Sequence, residues 1–246
     1  MHHFFAEPGE IGEKEISLTG SDVNHIKNVL RMGVGDEITV SSGQDDCLYH
    51  CSIQALEKDR IRAAIESREK ARSELAAKIF LFQGLPKSDK MEWIVQKAVE
   101  LGAAGIIPVE TKRTVVKLDA KKEALRRARW NTIAQGAAKQ SGRTRLVCVA
   151  PKMSFEEALE YGKSMEVKLI PYELAQGMDR TRELLGKIRP GQSVAVFIGP
   201  EGGFEEDEVR RAEEAGFSRI TLGSRILRTE TAGLAVLAML GFVLEP

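Results

Sequence analysis

The residues best suited to chemistry lie in two glycine-bearing segments near the C-terminal end. Residues 222–232 read Leu-Gly-Ser-Arg-Ile-Leu-Arg-Thr-Glu-Thr-Ala, which sets Arg228 two positions before Glu230. A cation and a carboxylate this close in sequence are placed to do chemistry beside a bound ligand. Residues 197–204 read Phe-Ile-Gly-Pro-Glu-Gly-Gly-Phe. Each segment follows an apolar run that reads as a strand, and each opens into a helix. Two such turns at one edge of an open α/β sheet form a ligand crevice. Gly199, Gly202 and Gly203 would let backbone groups approach a ligand closely. Ile226 and Leu227 are placed to pack a flat ring, and Thr229 reads as the N-cap of the last helix.

The first segment has neither the Gly-Lys-Ser/Thr ending of a phosphate loop nor the G-x-G-x-x-G spacing of a dinucleotide site. The helix after it begins Glu205-Glu206-Asp207-Glu208. Four carboxylates already complement that helix N-terminus and would repel a phosphate. A ligand without phosphate is favoured, such as one presenting an adenine, a ribose and a zwitterionic amino acid.

Sequence texture divides the chain into two regions. Residues 1–70 read as a small β-rich domain, with strands at 36–41, 48–55 and 60–67 and a preceding helix over 21–31 capped by Ser21 or Asp22. Residues 71–246 alternate strands and helices. Apolar runs at 79–83, 105–109, 168–172, 193–199 and 219–223 read as strands. Helices are expected at 90–101, Ala120–Gln140, from Glu205 and from Thr229. This alternation argues an α/β domain with a mostly parallel sheet covered on both faces. The last helix is apolar around its circumference from 232 to 244, which calls for burial on all sides; a homodimer is expected to supply the cover, the alternative being a central helix within one subunit.

Over the 246 residues the formal net charge is zero, yet residues 111–145 hold eleven Lys/Arg against only Asp119 and Glu123. Such a block suits an anionic partner, with RNA foremost. Cys47, Cys51 and Cys148 are an odd number, and residues 1–5 lack the apolar core of a signal peptide. Reduced thiols in the cytoplasm are expected. Cys47, His50 and Cys51 have no second ligand pair at zinc spacing, so no metal is expected. The apolar run at 232–244 is too short to span a bilayer.

The two glycine segments resemble those of the RsmE family of 16S rRNA (uracil-N3) methyltransferases in the knotted SPOUT superfamily. Residues 25–36 (HIKNVLRMGVGD), 87–102 (KSDKMEWIVQKAVELG) and 130–143 (WNTIAQGAAKQSGR) extend the resemblance over nearly the whole chain. One departure is His3, where the family usually has Arg before the aromatic pair. The resemblance implies a small PUA-like β-barrel domain followed by a SPOUT domain with a trefoil knot. It also implies S-adenosylmethionine as cofactor, a homodimer with active sites near the subunit boundary, and 16S rRNA as substrate, naked or in the assembled small subunit. The cofactor would meet Ile170, Tyr172, Glu173, Phe197, Ile198, Gly199, Pro200, Glu201, Gly202, Gly203, Leu222, Gly223, Ile226 and Leu227. Arg228 would favour the uracil anion or grip a phosphate, with Glu230 or Glu173 as base. RNA would be held by Lys112, Arg113, Arg126, Arg127, Arg143 and Arg145, with His25 and Arg31 in the first domain. A knotted ribose 2′-O-methyltransferase is the alternative enzyme, although 227–231 lacks the expected Asn. A non-catalytic ribosome-assembly factor is the alternative outside enzymes.

Overall fold

A computed structural model describes residues 1–173 and 177–245. They form two compact units, one of residues 1–74 with 138–146, the other of 75–137 with 147–246.

The first unit is built on β1 (His2–Phe5), β2 (Glu15–Thr19), β3 (Glu37–Ser41), β4 (Cys47–Leu56) and β5 (Arg60–Lys70). They pair in the order β1-β3-β4-β5-β2; β1 and β3 run parallel and the other neighbours antiparallel. Period-2 alternation places Phe4, Leu18, Val40, Ile53 and Ile61 in one core. Cys51 joins that core, and burial pushes its thiol up to about 11. His50 instead pairs with Glu69.

The helix expected over 21–31 is shorter and differently started. α1 (Ser21–Asn24) passes into a π-turn at His25–Val29, and Gly20 stands at its N-cap without a side-chain cap. The Asp22 carboxylate is engaged elsewhere, 2.6 Å from Lys139 Nζ. Lys139 belongs to residues 138–146, whose basic side chains bind this unit's own acids. Arg143 is only 3% exposed and ion-paired with Glu74, and Arg145 pairs with Asp46. A guanidinium that buried cannot reach an RNA backbone, so Arg143 is structural.

In the second unit β6 (Lys78–Gly84), β7 (Ala103–Glu110), β8 (Cys148–Val149), β10 (Val167–Pro171), β11 (Ser193–Ile198) and β12 (Ser218–Ile220) pair in parallel in the order β12-β10-β11-β6-β7-β8, and β9 (Met153–Ser154) also pairs with β7. The connections are α2 (Lys90–Glu100), α3 (Ala120–Gln140), α4 (Phe155–Lys163), α5 (Met178–Gly186) and α6 (Glu206–Glu214), and α7 (Thr229–Leu244) ends the chain. The apolar run of β11 is buried because both its faces are covered. On one face Phe82 and Phe197 stack at 4.4 Å, joined by Phe155, Phe204 and Phe217. Elsewhere α2 packs against α7. α7 buries Val236, Leu237, Leu240 and Leu244 but leaves Phe242 89% exposed, so one chain covers only part of it.

His3 offers a stability test within the first unit. It is buried, its Nδ1 lies 3.1 Å from Thr39 Oγ1, and desolvation lowers its pKa from 6.5 to about 4. The unfolded chain therefore takes up a proton near pH 6.5 that the folded chain refuses until about pH 4. Stability should fall across that window by about 3 kcal/mol, with no contribution from His3 above it. Denaturant unfolding of wild type and His3→Gln between pH 7 and pH 4 checks this: the variant should lose less stability, and identical slopes would refute the assignment.

Candidate functional site

A cavity of about 420 Å³ opens in the second unit where β10, β11 and β12 end. Its floor is the turn that follows β11. Gly203 N–H donates to Pro200 O at 2.9 Å, which folds the turn back on itself. A Cβ on Gly199 would lie 3.0 Å from the Gly203 backbone. The end of β6 presses on the same turn: a Cβ on Gly84 would sit 2.5 Å from Pro200 N. Only glycine permits that approach, since the obstacle is backbone.

The second glycine segment closes the cavity from the other side. Thr229 does not cap α7; Arg228 occupies the N-cap position with extended backbone. The Thr229 hydroxyl instead donates to Gly199 O at 2.6 Å and receives the Gln83 amide N–H at 2.8 Å. Gln83 is fully buried at the end of β6. Segments far apart in sequence are thereby joined through one hydroxyl.

Of the cofactor residues expected from sequence, Tyr172, Glu173, Ile198, Gly199, Pro200, Glu201, Gly202, Gly203, Leu222, Gly223, Ile226 and Leu227 line the cavity. Ile170 and Phe197 do not; both are fully buried in the hydrophobic core cluster that contains the stacked phenylalanines. Arg228 lines the cavity and Ile226 is 85% exposed over it; Glu230 does not line it, but its Oε2 lies 3.3 Å from Lys90 Nζ, which does. Among the described residues no carboxylate lies within ion-pair distance of Arg228. Sequence reasoning missed Gln83 and Lys90. A lone glutamine ending an apolar strand was a readable signal for Gln83.

Lys90, the first residue of α2, lines the cavity with its Nζ 3.0 Å from Glu201 Oε1 and 3.3 Å from Glu230 Oε2. The hydrogen bond to Glu201 raises the ammonium's pKa. Burial alone would raise the Glu201 carboxyl, but hydrogen bonds from Lys90 and from backbone N–H groups outweigh it and hold the group below its usual range.

The acidic start of α6 is less repulsive than four bare carboxylates would be. Arg113 Nε donates to Glu205 at 2.8 Å, and its Nη1 donates to Gly202 O at 2.7 Å. Lys112 Nζ donates to Asp207 at 3.1 Å. Buried Glu208 accepts from the N–H groups of Lys112 and Glu205. Lys112 and Arg113, expected on RNA, are thus engaged by the chain itself.

Comparisons with known proteins place this arrangement. Residues 73–241 match a family model described as an RNA methyltransferase domain, and residues 18–66 match an RNA methyltransferase PUA domain. The ribosomal RNA small subunit methyltransferase E of Bacillus subtilis (strain 168) is 39% identical over 232 residues, 93% of this chain and 90% of that protein. The chain belongs to the ribosomal RNA small subunit methyltransferase E family. A methyltransferase E from Neisseria gonorrhoeae, solved bound to S-adenosyl methionine, is 36% identical with a TM-score of 0.86, covering 99% of this chain and 98% of that one. A putative methyltransferase from Legionella pneumophila, solved with the same cofactor, is 31% identical with a TM-score of 0.84, covering 97% and 96%.

The remaining basic residues of this family member are placed separately. Arg126 and Arg127 lie on α3, the former exposed and the latter half-buried. In the first unit His25 and Arg31 are exposed, and Arg31 adopts a left-handed backbone with φ of 55°. Among the described residues none of these four has an ion-pair partner, and three or more metal-binding side chains come together nowhere.

The Gly84–Pro200 contact carries a test. Gly84→Ala forces a methyl group against backbone that cannot yield, so unfolding should become easier by about 1–3 kcal/mol. Denaturant titration measures it; unchanged stability would show that the turn is not clamped.

Proposed function

We propose that this chain transfers a methyl group from S-adenosylmethionine to N3 of a uridine in 16S rRNA. The observation that carries the reading is the cavity built by the two glycine segments, with Arg228 and Glu230 beside it, in a chain of this family. Its volume lies within the usual range of small-molecule sites, about 300–1,000 Å³. Backbone groups of 199–203 and 221–225 can satisfy an adenine edge, while Leu222, Ile226 and Leu227 can cover its faces. The residues present therefore fit the cofactor.

S-adenosylmethionine supplies an electrophilic methyl carbon on a sulfonium. The protein's tasks are to align the base with that carbon and to remove the proton that masks the N3 lone pair. The Arg228 guanidinium favours the anionic uracil, as any close cation lowers an acid's pKa. Glu230 would accept the N3 proton and so free the N3 lone pair for the methyl carbon. The target base must be single-stranded or turned out of its stack to reach the cavity.

His25, Arg31, Arg126 and Arg127, with the partly exposed Lys112, Arg113 and Arg145, are the cations that would hold the RNA backbone. The bare apolar side of α7, with Phe242 and Val243 exposed, supports a homodimer. The closeness of residues 84, 199–200 and 229 supports the knotted path implied by the resemblance. Among the described residues no helix is long and apolar enough to cross a membrane, which accords with work on ribosomal RNA in the cytoplasm.

Arg228→Ala separates chemistry from cofactor binding. Transfer of labelled methyl to small ribosomal subunits should fall on the order of a hundredfold or more, as when a charge-stabilising donor is removed elsewhere. Calorimetry should find cofactor affinity little changed. Near-normal turnover would remove Arg228 from the mechanism.

A further inference from the structure

Lys90, which lines the cavity with Glu201, also reaches the Glu230 carboxylate, so one cation faces two acids from different parts of the chain. Lys90 starts α2, Glu201 lies in the turn after β11, and Glu230 is in the first turn of α7. The two carboxylates are not equally held. Glu201 also accepts the Lys87 backbone N–H at 3.1 Å, so it has an anchor besides Lys90. Glu230 Oε2 is closed to solvent and receives no hydrogen bond of good geometry. Among the described residues Lys90, at 3.3 Å, is the one cation within ion-pair distance of it.

Removing the ammonium would therefore affect the two acids differently. Glu201 would stay on its backbone donor. Glu230 would lose its one cationic partner while its Oε2 stays closed to solvent, which is costly enough to turn the side chain away. That spoils a proton acceptor, which must be within hydrogen-bond reach of its substrate.

We infer that Lys90 is a positioning residue for methyl transfer and that it acts through Glu230. This rests on Glu230 being the proton acceptor of the proposed reaction. Lys90 does not touch the reacting atoms in this account; it fixes the carboxylate that does. Because Lys90 also pairs with Glu201, a purely structural role would act on the cofactor turn and appear in cofactor affinity instead.

The test is a double-mutant cycle on the full-length protein. Single-turnover methyl transfer to small ribosomal subunits is measured for wild type, Lys90→Met, Lys90→Arg, Glu230→Gln and the Lys90→Met/Glu230→Gln pair. Calorimetry gives S-adenosylmethionine affinity, and thermal unfolding checks that each variant is folded. Lys90→Met should slow transfer on the order of tenfold to a hundredfold, the scale of a misplaced catalytic group. Its cofactor affinity should change little, and Lys90→Arg should recover most of the rate. In the Glu230→Gln background, Lys90→Met should add nothing. A full additional loss in that background, or a loss confined to cofactor affinity, overturns the inference and leaves Glu230 in place. A Glu230→Gln variant as fast as wild type removes the proton acceptor and the inference with it. Wild type that transfers no methyl group overturns the reaction as well.

Discussion

One buried hydroxyl holds the site together. Thr229 bonds Gly199 O and receives Gln83, so the first residue of α7, the turn after β11 and the end of β6 share a single junction. Each such bond contributes only about 1 kcal/mol net, but leaving a buried partner unsatisfied costs about 1–3 kcal/mol. The bonds are possible only because Gly84 and Gly199 let backbone meet backbone. The cavity, the placing of Arg228 and Glu230 beside it, and the reach of Lys90 to both acids depend on that contact.

Charge is arranged in the same economical way. The basic block at 111–145 looked like one RNA-binding face, but much of it binds the protein itself. Lys112 and Arg113 engage the acidic start of α6, while Lys139, Arg143 and Arg145 secure residues 138–146 to acids of the first unit. The carboxylates that would have repelled an anion are largely occupied by those cations. Arg228 lines the cavity and, among the described residues, has no carboxylate partner.

The parallel strands of the second unit were legible because strands buried on both faces leave continuous apolar runs, as in β6 and β11. α4 was also legible, through the Ser154–Glu157 capping box and the apolar spacing of Phe155, Ala158 and Leu159, but went unread. Two-residue strands such as β8 and β9 have no periodicity to find. Caps failed where a side chain had a stronger partner: Asp22 goes to Lys139, and Thr229 to Gly199. The glycine segments were legible as a pair. Lys90 was not, because its role comes from two partners more than a hundred residues away. Ile170 and Phe197, which the resemblance set against the cofactor, lie in the hydrophobic core instead.

The central claim is that this cavity serves methylation of N3 of a uridine in 16S rRNA. Mass-spectrometric mapping of nucleosides in 16S rRNA, from cells with and without the gene, tests it most directly. One N3-methyluridine should disappear with the gene and return when the gene is restored. An unchanged nucleoside pattern, or the loss of a ribose 2′-O-methyl group in its place, would contradict it.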